Sequence, residues 1–500
     1  MRKKIRRSLA LGLFFTLVVG GGAATGAPTL PLGHAGRWIT DAGGRVVIVH
    51  GTNMVYKLPP YYPSGAGFGE NDAAFLAGIG FNAVRLGVIW KAVEPTPGRY
   101  SESYLARIAA TVRVLARHGV LTLLDFHQDL FNERFQGEGA PDWAVQDGGL
   151  PNPRSGFPIN YLVNAALQHA FDRFWTNAAG PGGVGLQSRY AATWAHVAAR
   201  FRGVPSLLGY EILNEPWPGT DWRSCLRVIG CPGFDATLTA FYRRVFPRIR
   251  AVDRRTLVWY EPNVLFNGGP ATHLGRIADT GAGFAFHDYC LAEASTGTPD
   301  NCAPADDQVF AHAVARARAT GNALMETEFG ATADVPYLEQ ALVRADRDMV
   351  PWLEWAYCAC GDPTTQAPGP REAIVVDPER SPSDRNLALP TLRALVEPYP
   401  QVVAGTPRSW SFTRSTRTFR LSYSTVRAGR RARFSAGAVT EVATPALVYG
   451  GRYGARVQGG MPVSRRGAGT LRIAACARAR EVTVSVTPSG RSRGSCRLRS

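Results

Sequence analysis

Leu207-Leu208-Gly209-Tyr210-Glu211-Ile212-Leu213-Asn214-Glu215-Pro216 and Asn322-Ala323-Leu324-Met325-Glu326-Thr327-Glu328-Phe329-Gly330 are two runs of one design. Each is short and mostly apolar, ends on polar residues that include a carboxylate, and gives way to turn residues and then a helical stretch. Runs of this size bounded by turn signals fit strands buried in a parallel sheet, here Leu207–Asn214 and Asn322–Phe329. The same theme recurs at Arg45–Asn53, Asn82–Trp90, Val120–His127, Thr256–Asn263, Gly283–Tyr289 and Pro351–Tyr357, which makes eight strands in all. Helical stretches are predicted between them at Ser101–His118, Tyr190–Phe201, Ala236–Val252, Asp307–Ala319 and Tyr337–Met349. Strand–helix alternation implies a parallel sheet with crossovers. Eight such units predict closure into an α/β architecture, the (β/α)8 TIM barrel.

Polar residues gather at the carboxy ends of these strands: Asn53, Arg85, His127, Asn214 with Glu215, Glu261, His287 with Tyr289, Glu328 and Trp355. In a barrel that rim is where chemistry sits. Glu215 ends the fourth strand and Glu328 the seventh, so the two carboxylates are expected to face each other. Hydrolysis of a glycoside with retention needs such a pair about 5–5.5 Å apart. Glu215 is expected to act as acid and then base, and Glu328 as nucleophile. Asn214 suits a hydrogen bond to the sugar 2-hydroxyl. Arg85 and Tyr289 are expected to donate to Glu328, His127 and His287 to position hydroxyls or the acid, and Trp355 to floor a sugar ring. Glu326 shares strand parity with Glu328 under a period of two and is the competing nucleophile; Phe329-Gly330 favours Glu328. Glu211, Glu261 and Glu354 are read as supporting acids.

Five hundred residues, 45% hydrophobic and 19% charged, allow a large core and two domains. Residues 1–27 read as an export signal: Arg2, Lys3, Lys4, Arg6 and Arg7 precede the apolar run Leu9–Val19, which is too short to span a bilayer. Residues 28–400 are assigned to the barrel, with a long Gly-, Pro- and aromatic-rich insertion from Leu130 to about Arg189 that reads as a lid or binding loop. Residues 401–500 change character to short alternating runs (Ser409–Thr413, Thr418–Tyr423, Arg431–Ser435, Ala446–Tyr449, Thr470–Ala475, Glu481–Thr487), which predict a β-sandwich. That segment holds 19 arginines against two acids, Glu441 and Glu481, while the whole chain is +17. A solvated basic face without a partner is one reading of such a segment; as a functional partner, an anionic membrane or envelope surface is expected and nucleic acid is not.

Eight cysteines fit an oxidising destination outside the cell. Local bridges Cys225–Cys231, Cys290–Cys302 and Cys476–Cys496 are expected. A bridge from Cys358 to Cys360, across one residue, is expected to be strained, so that pair is expected to find partners elsewhere; zinc ranks below disulfides for want of a second ligand pair. No metal or organic cofactor is implied, and a monomer is expected.

On Arg85, His127, Asn214-Glu215-Pro216, His287-x-Tyr289, Glu328-Phe329-Gly330 and Trp355 the chain resembles glycoside hydrolase family 5 over about residues 35–400. Gly51-Thr52-Asn53-Met54-Val55-Tyr56-Lys57, Pro59-Pro60-Tyr61, Asp125-Phe126-His127-Gln128-Asp129 and Glu211 to Gly219 resemble its endoglycoceramidase and endogalactosylceramidase branch, which also carries a C-terminal sandwich. The resemblance implies a secreted enzyme that cuts between oligosaccharide and ceramide. It implies that Lys57 and Asp129, with Trp175 a further candidate, bind the sugar beside the scissile bond. Residues around Tyr56–Tyr62 would hold lipid. The alternative within the family is an endo-glycanase on glucan, mannan or galactan; a non-catalytic carbohydrate- or lipid-binding protein on the same barrel is the reading outside it.

Overall fold

The computed structural model describes residues 28–290, 301–365 and 369–496; the expected export signal lies outside the described residues. Three short strands, β1 (Gly33–Ala35), β2 (Trp38–Thr40) and β3 (Val46–Val47), precede the barrel. Its strands are β4 (His50–Met54), β5 (Ala83–Ile89), β6 (Leu121–His127), β7 (Leu207–Glu211), β8 (Val258–Tyr260), β9 (Ala282–Asp288), β10 (Ala323–Phe329) and β11 (Trp352–Glu354). They pair in parallel in sequence order, and β11 closes on β4. This is the predicted (β/α)8 barrel, each strand overlapping a predicted run; β4 ends one residue past its run, β9 starts one residue before its run, and the run Arg45–Asn53 also contains β3.

Alternation along the strands sorts side chains between two cores. Val84, Leu86, Val88, Leu124 and Phe126 point outward and pack with the helices. The helix Glu102–Arg117 answers them with Leu105, Ile108, Val112 and Leu115, one helical face at 3–4 residue spacing, and starts where Ser101 Oγ accepts from Tyr104 N at 3.3 Å. Ala83, Leu121, Leu123, Leu208, Trp259, Met325 and Leu353 form a separate inner cluster. Trp259 crosses that space and donates its indole N–H to Leu208 O at 3.1 Å. A Cβ on Gly283 would sit 2.2 Å from its ring, so glycine there is a packing requirement. Leu32, Ile39, Val47 and Val49 join this cluster and plug the barrel floor.

The remaining strands are β12 (Pro400–Val403), β13 (Thr406–Thr413), β14 (Thr418–Ser424), β15 (Val439–Ala443), β16 (Gly454–Gln458), β17 (Gly460–Pro462), β18 (Thr470–Ala475) and β19 (Glu481–Thr487). They form two antiparallel sheets, ordered β1-β2-β3-β12-β15-β18-β17 and β13-β14-β19-β16. Val403, Leu471 and Ile473 of one sheet share a core with Phe419, Leu421 and Val484 of the other. The division expected at 400/401 falls inside β12, which pairs on one side with the N-terminal β3. Two predicted runs are not strands. Ala446–Tyr449 is a helical turn between Pro445 and Gly450, the latter at φ 58°. Around Arg431–Ser435 only Arg433 bridges, to Val426, and the strand is Val439–Ala443 instead. A run of four or five residues carries too few positions for its period to tell strand from other structure.

The expected bridges Cys225–Cys231, Cys290–Cys302 and Cys476–Cys496 are present. Cys358 and Cys360 also join each other, against expectation. The other six thiols are used locally, which leaves this pair only itself.

Candidate active site

Arg85 organises the carboxy end of the barrel. It lies on β5 with Val84 and Leu86 facing out, so parity turns it inward, where it is fully buried. Its Nε donates to Glu211 Oε2 at 2.5 Å and its Nη2 to Asn214 Oδ1 at 2.8 Å. Nη1 donates to Asn53 Oδ1 at 3.1 Å and to Glu328 Oε1. Asp125 Oδ2 and Glu261 Oε1 stand 3.2 and 3.4 Å from Nη2. Burial works against the charge, but Asp125, Glu211, Glu328 and Glu261 hold the guanidinium well above its usual range. One cation thus fixes side chains from five other strands or the segments that follow them.

Glu328 takes that donor from Arg85 and a second from Tyr289 Oη, 2.9 Å from Oε2. Burial raises its carboxyl above the ordinary range, while His287 and Arg85 pull it down. Its orientation depends on a β-bulge. Pairing of β10 with β9 slips between Glu326 and Glu328, so Glu326 opposes Phe286 while Glu328 opposes His287. Thr327 Oγ1 donates inward to Glu211 Oε1 at 2.9 Å. Glu326 is left on another face, in the field of Asp288, Arg344 and Asp306. The shared parity expected for Glu326 and Glu328 therefore fails, because a bulge adds a residue and resets the period.

Glu215 sits beyond β7 with left-handed backbone (φ 44°), a conformation uncommon for a residue with a side chain. Glu261 Oε2 accepts its N–H at 3.1 Å, and Gln128 Nε2 donates to its carbonyl at 3.1 Å. Its Oε1 accepts from Asn267 Nδ2 at 2.7 Å and lies 2.9 Å from His287 Nδ1. Burial, then the charge of Asp129, push the carboxyl up to about 7. Burial also brings His287 down to about 4, so its ring is neutral between the two acids. Carboxylate oxygens of Glu215 and Glu328 come within 4.8 Å of each other.

A polar wall adjoins them. His127 Nδ1 is 2.7 Å from Asp125 Oδ2. Against burial, Asp125 and Asp129 raise the imidazole to about 10. Lys57 Nζ donates to Asp129 Oδ2 and Thr364 Oγ1 at 2.8 Å each, lies 2.9 Å from Asp362, and stands 4.4 Å over the Trp355 ring. Trp355 stacks on His127 at 5.3 Å and donates to Glu372 Oε2 at 3.3 Å. Lys57, Arg85, His127, Asp129, Asn214, Glu215, His287, Tyr289, Glu328 and Trp355 thus converge here. Trp175 instead packs with Phe234 and Phe241 and donates its indole N–H to Trp217 O at 2.8 Å. Tyr61 is buried, its ring hydroxyl donated to Glu133, so it does not present a face to lipid. Glu354 is tied to Thr52 Oγ1 at 3.0 Å, apart from the Arg85 cluster that Glu211 and Glu261 join.

Sequence reading missed Asp362, Thr364 and Glu138, which reach the site from loops, and Asn267, which reaches it from the short helix Val264–Gly268. Glu138 pairs its backbone with Asp129, and its buried carboxyl comes 4.0 Å from His127 Nε2. Burial raises that carboxyl well above its usual range. Among the described residues, three donor sets have cation-like spacing: His127–Asp129–Glu138, Glu211–Glu261–His287 and Glu215–His287–Glu328. Lys57 or Arg85 already supplies positive charge to each.

Residues 41–361 match the model of the cellulase family, glycosyl hydrolase family 5, and residues 398–487 match the glycoside hydrolase family 5 C-terminal domain. Endoglycoceramidase I of Rhodococcus hoagii (strain 103S) is 32% identical over 468 residues, covering 90% of this chain and 86% of the relative. Endo-glycoceramidase II from Rhodococcus sp., solved with a five-membered iminocyclitol, is 29% identical and superposes with a TM-score of 0.74 over 90% of this chain and 99% of that one. The same protein in its ganglioside GM3 complex gives 26% and 0.73 over 91% and 99%. With both family domains matched in order and the site assembled at the barrel's carboxy end, this chain belongs to glycosyl hydrolase family 5, a family of retaining glycoside hydrolases.

Proposed function

We propose that this chain cuts the β-glycosidic bond between oligosaccharide and ceramide in glycosphingolipids, with retention, through Glu215 and Glu328. The observation that carries the mechanism is the approach of the two carboxylates within 4.8 Å in unlike surroundings. That leaves room for an anomeric carbon between them and none for a water on the far face, the arrangement of double displacement. Glu328, fed by Arg85 and Tyr289, attacks the anomeric carbon as the carboxylate. Glu215, raised to about 7, gives its proton to the departing ceramide oxygen. The glycosyl ester on Glu328 is then hydrolysed by a water whose proton returns to Glu215. Asn214, oriented by Arg85, is placed for the 2-hydroxyl, and Lys57, Asp129, His127 and Trp355 for the sugar's other polar groups and its ring face. The ceramide-linked substrate rests on the endoglycoceramidase relatives. Secretion is part of the proposal, supported by the basic-then-apolar start and the four disulfides.

The test is mass spectrometry of products from mixed glycosphingolipids in detergent. Intact oligosaccharide together with ceramide is expected. Glu328→Gln and Glu215→Gln should each lower kcat/KM by about 10³-fold or more. With an activated aryl glycoside and azide, Glu215→Ala should yield a β-glycosyl azide and Glu328→Ala the α-anomer. Release of glucan, mannan or galactan fragments with glycolipid untouched would keep the mechanism and reject the substrate.

A further inference from the structure

The turn that follows Asn214-Glu215-Pro216 carries a feature the hydrolytic chemistry does not use. The Cys225–Cys231 bridge closes Leu226-Arg227-Val228-Ile229-Gly230 into a small loop. Leu226, Val228 and Ile229 are 54%, 71% and 61% exposed. Single exposed aliphatics are ordinary; three within four residues of a covalently closed loop are not. Three carbonyls of the loop have partners. Val228 O accepts from Ala271 N at 3.0 Å, Ile229 O lies 2.5 Å from His273 Nε2, and Gly230 N donates to Arg227 O at 2.7 Å. Gly230 has no side chain to block Ala271 O, which a Cβ would meet at 1.9 Å. The loop therefore turns these carbonyls toward protein and its aliphatic side chains toward solvent.

That division suits a segment that enters the boundary between headgroups and acyl chains, where an unsatisfied carbonyl is costly. The charge fits as well. Arg223 and Arg227 are exposed, and no acid lies between Trp222 and Phe234. Arg223 stands 4.6 Å over the Trp222 ring, and Trp222 stacks at 5.9 Å on Trp217, two residues beyond Glu215. The turn is fastened to the helix Ala165–Trp175 through Asp172, which accepts from Thr220 N at 3.0 Å and Oγ1 at 2.9 Å. The helix just before, Ile159–Val163, exposes Ile159, Leu162 and Val163.

We propose that this disulfide-closed loop is an interfacial anchor: its aliphatic side chains enter an anionic lipid bilayer while Arg223 and Arg227 meet the headgroups, which sets the barrel mouth against the membrane. It deepens the glycolipid reading and rests on it for its purpose, since ceramide is held in bilayers. The test is flotation of the full chain with vesicles of phosphatidylcholine and phosphatidylglycerol that contain no glycolipid. The Val228→Asp/Ile229→Asp double variant should lose about tenfold or more in vesicle affinity. Arg223→Ser/Arg227→Ser should weaken the preference for anionic vesicles and flatten its salt dependence. Both variants should turn over a soluble aryl β-glycoside as the parent does, which reports an intact fold. Failure of the parent to float, an aspartate variant that floats as the parent does, or light scattering that shows a dimer split by that variant would overturn the proposal. Because the vesicles hold no substrate, failure of the ceramide reading would leave this readout unchanged.

Discussion

Glu215 and Glu328 are the same side chain in two settings, and the settings differ by their donors. Glu328 receives a guanidinium and a phenol; Glu215 receives an amide and sits against a neutral imidazole. A pH dependence follows. The folded carboxyl of Glu215 titrates near 7, so it is protonated below that value and loses the proton as pH rises through it. For a substrate with a poor leaving group, kcat/KM should fall on the alkaline side of about 7. For a dinitrophenyl glycoside, which departs without protonation, that limb should vanish. Equal limbs for both substrates would assign the ionisation to another group. Arg85 joins the two settings, for it touches Glu328 and Asn214 at once. Replacing it with Lys keeps a charge but not the fork; Arg85→Lys should cost more in kcat than in KM.

At the scale of elements, the barrel is legible because each strand is a compact run whose polar residues collect at one end. The site is legible to the same extent, through residues at or just past strand ends, His127, Asn214, His287 and Glu328; Arg85, expected at the carboxy end, is instead the third residue of β5 and reaches the site through its long side chain. What the sequence hides is geometry that breaks a period or arrives from a loop. The bulge in β10 turns Glu326 away from Glu328, and no composition marks it. Asn267, Asp362 and Glu138 lie in stretches with no strand or helix signal to tie them to the rim. In the sandwich, Ala446–Tyr449 is too short to declare its type. Two glycines test how far packing, rather than propensity, sets the elements. Gly283→Ala would drive a Cβ into Trp259 and should cost about 1–3 kcal/mol, seen as a lower Tm. Gly78→Ala, on the exposed face of the helix Glu70–Ile79 with no atom within 4 Å, should instead gain about 0.5–1 kcal/mol.

At the scale of the whole molecule, barrel and sandwich are one folding problem. β3 leaves the sheet it shares with β12 and leads into β4, and the segment around it plugs the barrel floor with Leu32, Ile39, Val47 and Val49. Tyr399, just before the sandwich, stacks at 3.7 Å on His50 at the start of β4 and donates to Gly80 O at 2.8 Å, ahead of β5. Trp410 donates to the buried Asp346, ahead of β11. Arg414 reaches Glu397 at 3.1 Å. These contacts lie at the amino ends of the strands, opposite the carboxylates, so the arginine-rich domain sits away from the mouth that the Cys225–Cys231 loop borders. Removing residues 401–500 would strip β3 of its neighbour, leave Asp346 and Glu397 without Trp410 and Arg414, and uncover Val46 and Ile48. Uncompensated buried acids and an opened core each cost several kcal/mol, against a total stability of about 5–15 kcal/mol. The chain ending at residue 400 should therefore fail to give a soluble protein with a cooperative melt, measured by differential scanning calorimetry beside the parent. A truncated protein that melts cooperatively and keeps the parent's kcat/KM on an aryl glycoside would show that the barrel carries its own floor, and would return the sandwich's basic surface to the role of a separable partner-binding face.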